Sequence, residues 1–221
     1  MRWNTQAAVA ALALLATPLQ AQTGMDLQQL AQLRAVSDVQ ISPDGRQLAY
    51  VLAVPRELGK DDDGPAWAEL HVSDRQGASR GFITGKQNVA SLNWSPDSRA
   101  ITYLAKRAGD ETRRLYQIPL AGGESKLLAS LSATDIRSYS LAPDGRRAAL
   151  LASEPESDAQ KALKKQGFSQ KVYEEDWRPV GLWISELGDG KTAARRIDLD
   201  GSVQAVAWSP SGERLALALA P

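Results

Sequence analysis

The stretch VQISPDGRQLAYV, residues 39–51, decides how this chain folds. An apolar run enters Ser-Pro-Asp-Gly, and a second apolar run leaves it. Proline fixes φ near the value needed at the second position of a turn, Asp bonds back to the backbone, and Gly accepts a positive φ. Short loops of this chemistry join antiparallel strands. In the exit run Leu48, Tyr50 and Leu52 fall on one face, the period of a strand. The same hairpin returns three times: LNWSPDSRAITYL at 92–104, YSLAPDGRRAALL at 139–151 and VAWSPSGERLALAL at 206–219.

The turn prolines stand at 43, 96, 143 and 210, at spacings of 53, 47 and 67 residues. Periods of roughly 40–50 residues with several strands per repeat mark β-propeller blades. Two further strand patterns follow each of the first three hairpins: AELHVSD and GFITG, RRLYQIPL and ESKLLAS, VGLWISEL and AARRIDL. The expected fold is therefore all-β. It is a partial β-propeller of four-stranded antiparallel blades, about three blades plus the start of a fourth, near residues 37–85, 88–130, 135–199 and 202–221. An ordinary antiparallel sandwich with coincidentally similar turns is the alternative.

Two segments interrupt the repeat. A short helical leader is expected within 22–36, with Asp26 as cap, Gln29 three residues on, and Leu27, Leu30 and Leu33 as a partial stripe over 26–35. A helical insert occupies 154–179, where Ser157 with Gln160 reads as a capping box and Gly167 as the helix stop. The insert accounts for the long third spacing.

Residues 1–21 have the layout of a secretory signal peptide: Arg2, an apolar run from Ala7 to Ala16, Pro18 and small Ala21. The run is too short to span a membrane. The expectation is an exported chain, periplasmic or secreted, starting near Gln22 and without a membrane span; a buried N-terminal helix is the alternative. A propeller closes when its last blade packs on its first. The third and fourth strands of the last unit are missing after RLALALAP, so a longer parent protein is expected, with a partner chain completing the ring as the alternative.

Composition removes several function classes. The 221 residues carry 26 basic and 26 acidic side chains with no clustered basic face, which gives no reason to expect nucleic acid as a partner. There is no cysteine and one histidine, His71, so no zinc site and no cofactor are expected.

At this point the residues resemble a known family. The segment DLQQLAQLRAVSDVQISPDGRQLAYV, the repeated SPDG and SPDS hairpins and VYEEDWRPVGLWISEL are together similar to the N-terminal propeller of secreted serine peptidases of the prolyl oligopeptidase family, in its acylaminoacyl-peptidase and dipeptidyl-peptidase branch. The resemblance covers the mature chain. It implies a propeller that caps an α/β-hydrolase domain and restricts access to peptides and small polypeptides, with peptides as substrates of the hydrolase part. The SPDG hairpin is also shared by periplasmic TolB-like propellers, non-enzymatic modules that bind proteins or small ligands, and this remains the second functional class.

The resemblance also draws attention to Glu174 and Glu175. In dipeptidyl peptidases a Glu pair on the propeller binds the substrate's free amino group, which adjacent carboxylates do through charge-assisted hydrogen bonds. Here the pair precedes a third strand rather than a first one. A solvated acidic turn pairing with Arg178 is the other reading of the same residues.

No catalytic residue and no metal ligand is assigned. GASRG at 77–81 matches the G-x-S-x-G of a nucleophile elbow, but that motif needs a buried strand before it and a helix after it. Ser79 instead follows polar SDRQ and precedes the strand pattern FITG, and the triad order Ser, acid, His finds no histidine after it. Ser79 reads as part of a hairpin loop, and His71 as a strand residue without a catalytic role. Asp61, Asp62 and Asp63 lack the spacing of a calcium loop and read as a solvated connection. Trp67, Trp94, Trp183 and Trp208 read as core.

Overall fold

A computed structural model describes residues 24–168, 177–188, 190 and 192–220. It divides into two units, Met1–Gln32 and Leu33–Pro221. In the first, helix α1 spans Leu27–Ala31. Asp26 caps it by accepting from the Gln29 backbone at 2.6 Å, while the Gln29 side chain accepts from the Asp26 backbone at 3.1 Å. The expected capping box is thus present. The helix is shorter than the stripe suggested, because Ala35 already lies in a strand. Leu27 and Leu30 are exposed and bury nothing that would extend it.

Among the described residues the second unit has fourteen strands. The first sheet is β1 (Ala35–Ile41), β2 (Gln47–Val54), β3 (Trp67–Asp74) and β4 (Ser79–Ile83). The second is β5 (Ala90–Trp94), β6 (Ala100–Ala105), β7 (Arg114–Pro119) and β8 (Lys126–Ala129). The third is β9 (Ile136–Leu141), β10 (Arg147–Ser153), β11 (Val180–Glu186) and β12 (Arg195–Ile197). Strands β13 (Ser202–Trp208) and β14 (Leu215–Ala220) form a two-stranded sheet. Within each sheet the strands pair antiparallel in chain order, the meander of a propeller blade. The expected partial propeller of three full blades and the first hairpin of a fourth is therefore the observed fold.

All four hairpins between first and second strands close in one way. Gly45, Ser98, Gly145 and Gly212 donate to the carbonyls of Ser42, Ser95, Ala142 and Ser209 at 2.7–2.9 Å. Each donor residue has a left-handed backbone, φ between 59° and 71°. Ser98 takes that conformation without being glycine, and its hydroxyl accepts from the Asp44 backbone of the neighbouring turn at 3.1 Å. A Cβ on Gly145 or on Gly212 would sit 3.5 Å from the proline of the preceding blade's turn, Pro96 or Pro143. The turns of adjacent blades therefore stack in a row.

Three hydrophobic layers lie between the blades. Ala49, Val51, Leu70, Ile101 and Tyr103 fill the first; Leu104, Leu115, Ile136, Leu150 and Trp183 the second; Leu151, Leu182 and Val203 belong to the third. Because strand side chains alternate between faces, Leu104 and Ala105 enter different layers, as do Leu150 and Leu151. This is why every residue of β6 is buried, whereas β2 and β14 bury one face at most.

Trp94 and Trp208 occupy the same position before their turns. Their indole N–H groups reach back to the carbonyls of Gln40 and Ser140 in the preceding blade, both at 3.0 Å. The third blade has Leu141 at that position, and there the Tyr139 hydroxyl meets the Thr102 hydroxyl at 2.8 Å instead. Burial drives the Tyr139 phenol far above its ordinary pKa, so it stays protonated. Trp94 and Trp183 are core residues as expected. Trp67 and Trp208 are half-buried, each with a guanidinium over its ring, Arg56 at 3.9 Å and Arg147 at 5.0 Å.

Candidate functional site

An antiparallel meander sends its connections alternately to two rims. The four SPDG-type turns share one rim with the third-to-fourth connections at 75–78, 120–125 and 187–194. The second-to-third connections, 55–66, 106–113 and 154–179, all emerge at the other rim, with the blade-to-blade links 84–89, 130–135 and 198–201. The insert that interrupts the repeat therefore stands on the loop-rich rim.

The base of the insert continues the β10–β11 pairing, since Glu154 donates its backbone N–H to the Pro179 carbonyl at 2.9 Å. Helix α2 spans Asp158–Lys165. Ser157 accepts from the Gln160 backbone at 3.2 Å and the Gln160 side chain accepts from the Ser157 backbone at 3.1 Å, the capping box read from the sequence. At its end, Gly167 has φ 91° and donates to Lys164, while Phe168 donates to Leu163. These two bonds make a Schellman motif, which requires the left-handed glycine. Helix α2 buries no residue, and Leu163, Phe168 and Trp177 are exposed.

Between α2 and the second and third blades lies a cleft of about 420 Å³. Its floor is tied down by hydrogen bonds. Thr134 donates its hydroxyl to the Ser153 carbonyl at 2.8 Å, Thr112 donates to the Leu131 carbonyl at 3.0 Å, and Asp135 accepts from the Arg113 backbone at 2.6 Å. The walls carry Arg137, Lys161 and Arg178 together with Asp135 and Glu156. The Glu156 carboxyl is held below its usual pKa by its hydrogen bond to Lys164, with smaller contributions from Arg178 and Lys161. Lys161 pairs with Asp158 at 3.3 Å. Among the described residues Arg137 meets no carboxylate; it donates to the Ser153 hydroxyl at 3.2 Å.

Glu174 and Glu175 lie outside the described residues. Their neighbour Arg178 stands 3.9 Å from Glu156 and donates to the Glu154 carbonyl at 3.4 Å.

Ser79 opens β4 rather than sitting in the loop before it; the turn itself is 75–78, with Gly77 at φ 87°. Its hydroxyl is 2.7 Å from the Tyr50 hydroxyl. His71 lies in β3 opposite Gly81, stacks on Tyr50 with ring centroids 5.5 Å apart, and directs Nε2 to Glu69 at 2.9 Å. Among the described residues no hydrogen bond joins Ser79 to His71, so the pairing that activates a serine is not made.

The acidic run differs from the expected solvated connection. Asp62 and Asp63 are exposed, but the Asp61 side chain is only 10% exposed. It accepts from Lys86 at 2.6 Å, from the Glu57 backbone at 2.9 Å and from the Trp67 indole at 3.5 Å. The Lys86 hydrogen bond, with these donors, brings its carboxyl down to about 2. Arg56 completes the knot by donating to the Pro65 and Asp62 carbonyls, and it lies so close to Gly64 that a Cβ there would be 2.8 Å from Nη2. Three consecutive acids concealed one anchor and two solvated residues.

Comparison with known proteins yields a consistent group. The chain is 31% identical over 110 residues to dipeptidyl aminopeptidase BIII of Pseudoxanthomonas mexicana, a match covering 48% of this chain and 14% of that one. It is 28% identical over 97 residues to YuxL, described as an uncharacterized peptidase of Bacillus subtilis (strain 168), covering 44% and 14%. The chain thus corresponds to a small part of either relative. Among solved structures, the Pyrococcus horikoshii acylaminoacyl peptidase superposes with TM-score 0.55 at 15% identity, over 79% of this chain and 26% of that one. A prolyl endopeptidase structure gives 0.51 at 16%, over 84% and 26%. An oligogalacturonate lyase in complex with manganese gives 0.50 at 14%, over 77% and 41%. At these identities the structures share the fold. No family model matches. The resemblance read from the sequence is borne out as a likeness, in sequence and in fold, to peptidases of this group.

Proposed function

We propose that this chain is the propeller portion of an exported serine peptidase of the prolyl oligopeptidase family, acting on peptides, with its α/β-hydrolase domain outside these 221 residues. The observation that carries the reading is the 31% identity with dipeptidyl aminopeptidase BIII over 110 residues. The fold alone does not select it, because a lyase shares the architecture; the sequence likeness to two peptidases favours it. In this reading the propeller gates substrate access, and the loop-rich rim with its exposed Leu163, Phe168 and Trp177 faces the hydrolase domain. No helix among the described residues is long and apolar enough to cross a membrane, which is compatible with release of the mature chain after removal of residues 1–21.

The test is activity-based labelling. The 221-residue chain alone should neither cleave aminoacyl-nitroanilides nor react with a fluorophosphonate. The parent gene product, read beyond Pro221, should do both, with the label on a serine of the added sequence. Labelling of Ser79, or a parent gene product that shows neither reaction, would overturn the proposal. Export is checked separately by mass spectrometry of the N-terminus, which should begin at Gln22.

A further inference from the structure

We propose that the cleft beside α2 binds the carboxylate of a short peptide through Arg137 and Arg178. The choice of a peptide rests on the peptidase reading above; the choice of a carboxylate rests on the cleft itself. Its threonine hydroxyls and Asp135 are engaged in holding the floor together. Glu156 is engaged by Lys164, and Lys161 by Asp158. The two guanidinium groups are different. Arg137 spends one donor on Ser153, and Arg178 spends one on a long bond to a carbonyl, with Glu156 beyond hydrogen-bond reach. A guanidinium has five N–H donors in a planar fork that matches a carboxylate. Among the described residues both groups therefore retain donors, in a space of about 420 Å³, the size of a small-ligand site.

The charge of the lining narrows the ligand. Three cations, Arg137, Lys161 and Arg178, stand against two anions, Asp135 and Glu156, so the walls carry one net positive charge. That balances a carboxylate, whereas a phosphate dianion would meet Asp135 and Glu156 without full compensation. Among the described residues of the lining Ala133 is the one apolar side chain, so the cleft suits the polar end of a peptide rather than an apolar side chain.

Calorimetric titration of the full 221-residue chain tests this with three peptides: Ala-Ala-Phe as the free acid, its C-terminal amide, and Ala-Glu-amide. At least one carboxylate-bearing peptide should bind, and the Ala-Ala-Phe amide should bind about tenfold or more weakly than it. Preference for the free acid assigns the site to the chain terminus; preference for Ala-Glu-amide assigns it to an acidic side chain. R137Q and R178Q should each weaken binding by about tenfold or more, and R137K should weaken it too, since it keeps the charge and loses the fork. The unfolding midpoint of each variant is checked first. A measurement on the native chain needs no variant: bound peptide should protect Arg137 and Arg178 from phenylglyoxal. Equal binding of the amide, unchanged binding by the variants, no binding of any peptide at millimolar concentration, absent protection, or tighter binding of inorganic phosphate each overturns the proposal. Because binding is read rather than hydrolysis, failure here leaves the peptidase reading standing, and failure of fluorophosphonate labelling leaves this result unaffected.

Discussion

Single residues set the conditions under which this propeller holds together, and Asp61 shows how. Its carboxylate binds Lys86, the Glu57 backbone and Trp67, and so joins the long second-to-third connection of the first blade to the link that follows β4. Its folded pKa of about 2 lies below the value of 3.8 expected when unfolded. A carboxyl with a depressed folded pKa stabilises fully above its unfolded value and loses that contribution as pH falls through the folded one. We expect D61N to lower the unfolding temperature at neutral pH. The gap from the native chain should stay constant down to about pH 4 and close between about 4 and 2. Thermal unfolding of both chains across that range measures it, and a gap independent of pH would contradict the anchor. Tyr116 behaves in the opposite sense. Burial, reinforced by its 2.5 Å hydrogen bond to Asp110, pushes its phenol up to about 12, so it remains a donor through the whole neutral range.

Among the elements, the repeated hairpin is the most informative. Loss of the Trp94 indole in W94F leaves the Gln40 carbonyl without its donor across the blade interface. Trp94 is 4% exposed, so water does not replace that donor, and the cost should be about 2 kcal/mol by denaturant titration. W208F, at a half-buried site, should cost about 1 kcal/mol or less. Equal costs would contradict the argument that burial sets the cost of losing the donor. The hairpins themselves were legible because turn chemistry is local: Pro43 fixes its φ and Gly45 permits the positive φ of 67° whatever surrounds them. Both capping boxes were legible for the same reason. The bulges in β1 and β5, where the pairing with the next strand slips between Ser37 and Gln40 and between Ala90 and Asn93, were not. Asp38 and Ser91 take positive φ at equivalent places in β1 and β5, and the Asp38 carboxylate receives the Leu92 backbone N–H at 2.6 Å from the next blade. That partner is 54 residues away, and no short window of sequence contains it. The cleft was hidden likewise, because Thr112, Asp135 and Arg178, on three separate connections, come together with Arg137 of β9 only after those connections have been brought to one rim. The sorting of Asp61 from Asp62 and Asp63 depended on Lys86, 25 positions further on, and identical letters carried no hint of it.

For the molecule as a whole, the layered construction has a consequence in the language of coupling. Leu104 and Ala105 are covalent neighbours, yet they look into different interfaces. Leu104 and Leu150 are far apart in the chain, yet they share one. Energetic communication should therefore run across blades rather than along strands. A double-mutant cycle between L104A and L150A should give an interaction energy of about 0.5 kcal/mol or more, while one between L104A and A105G should stay within about 0.5 kcal/mol of additivity. The reverse order would mean that strands, not layers, are the units of response. If layers are the units, a disturbance at one blade is heard by the two that flank it and fades beyond them, so the propeller behaves as a row of listeners rather than as one resonating body.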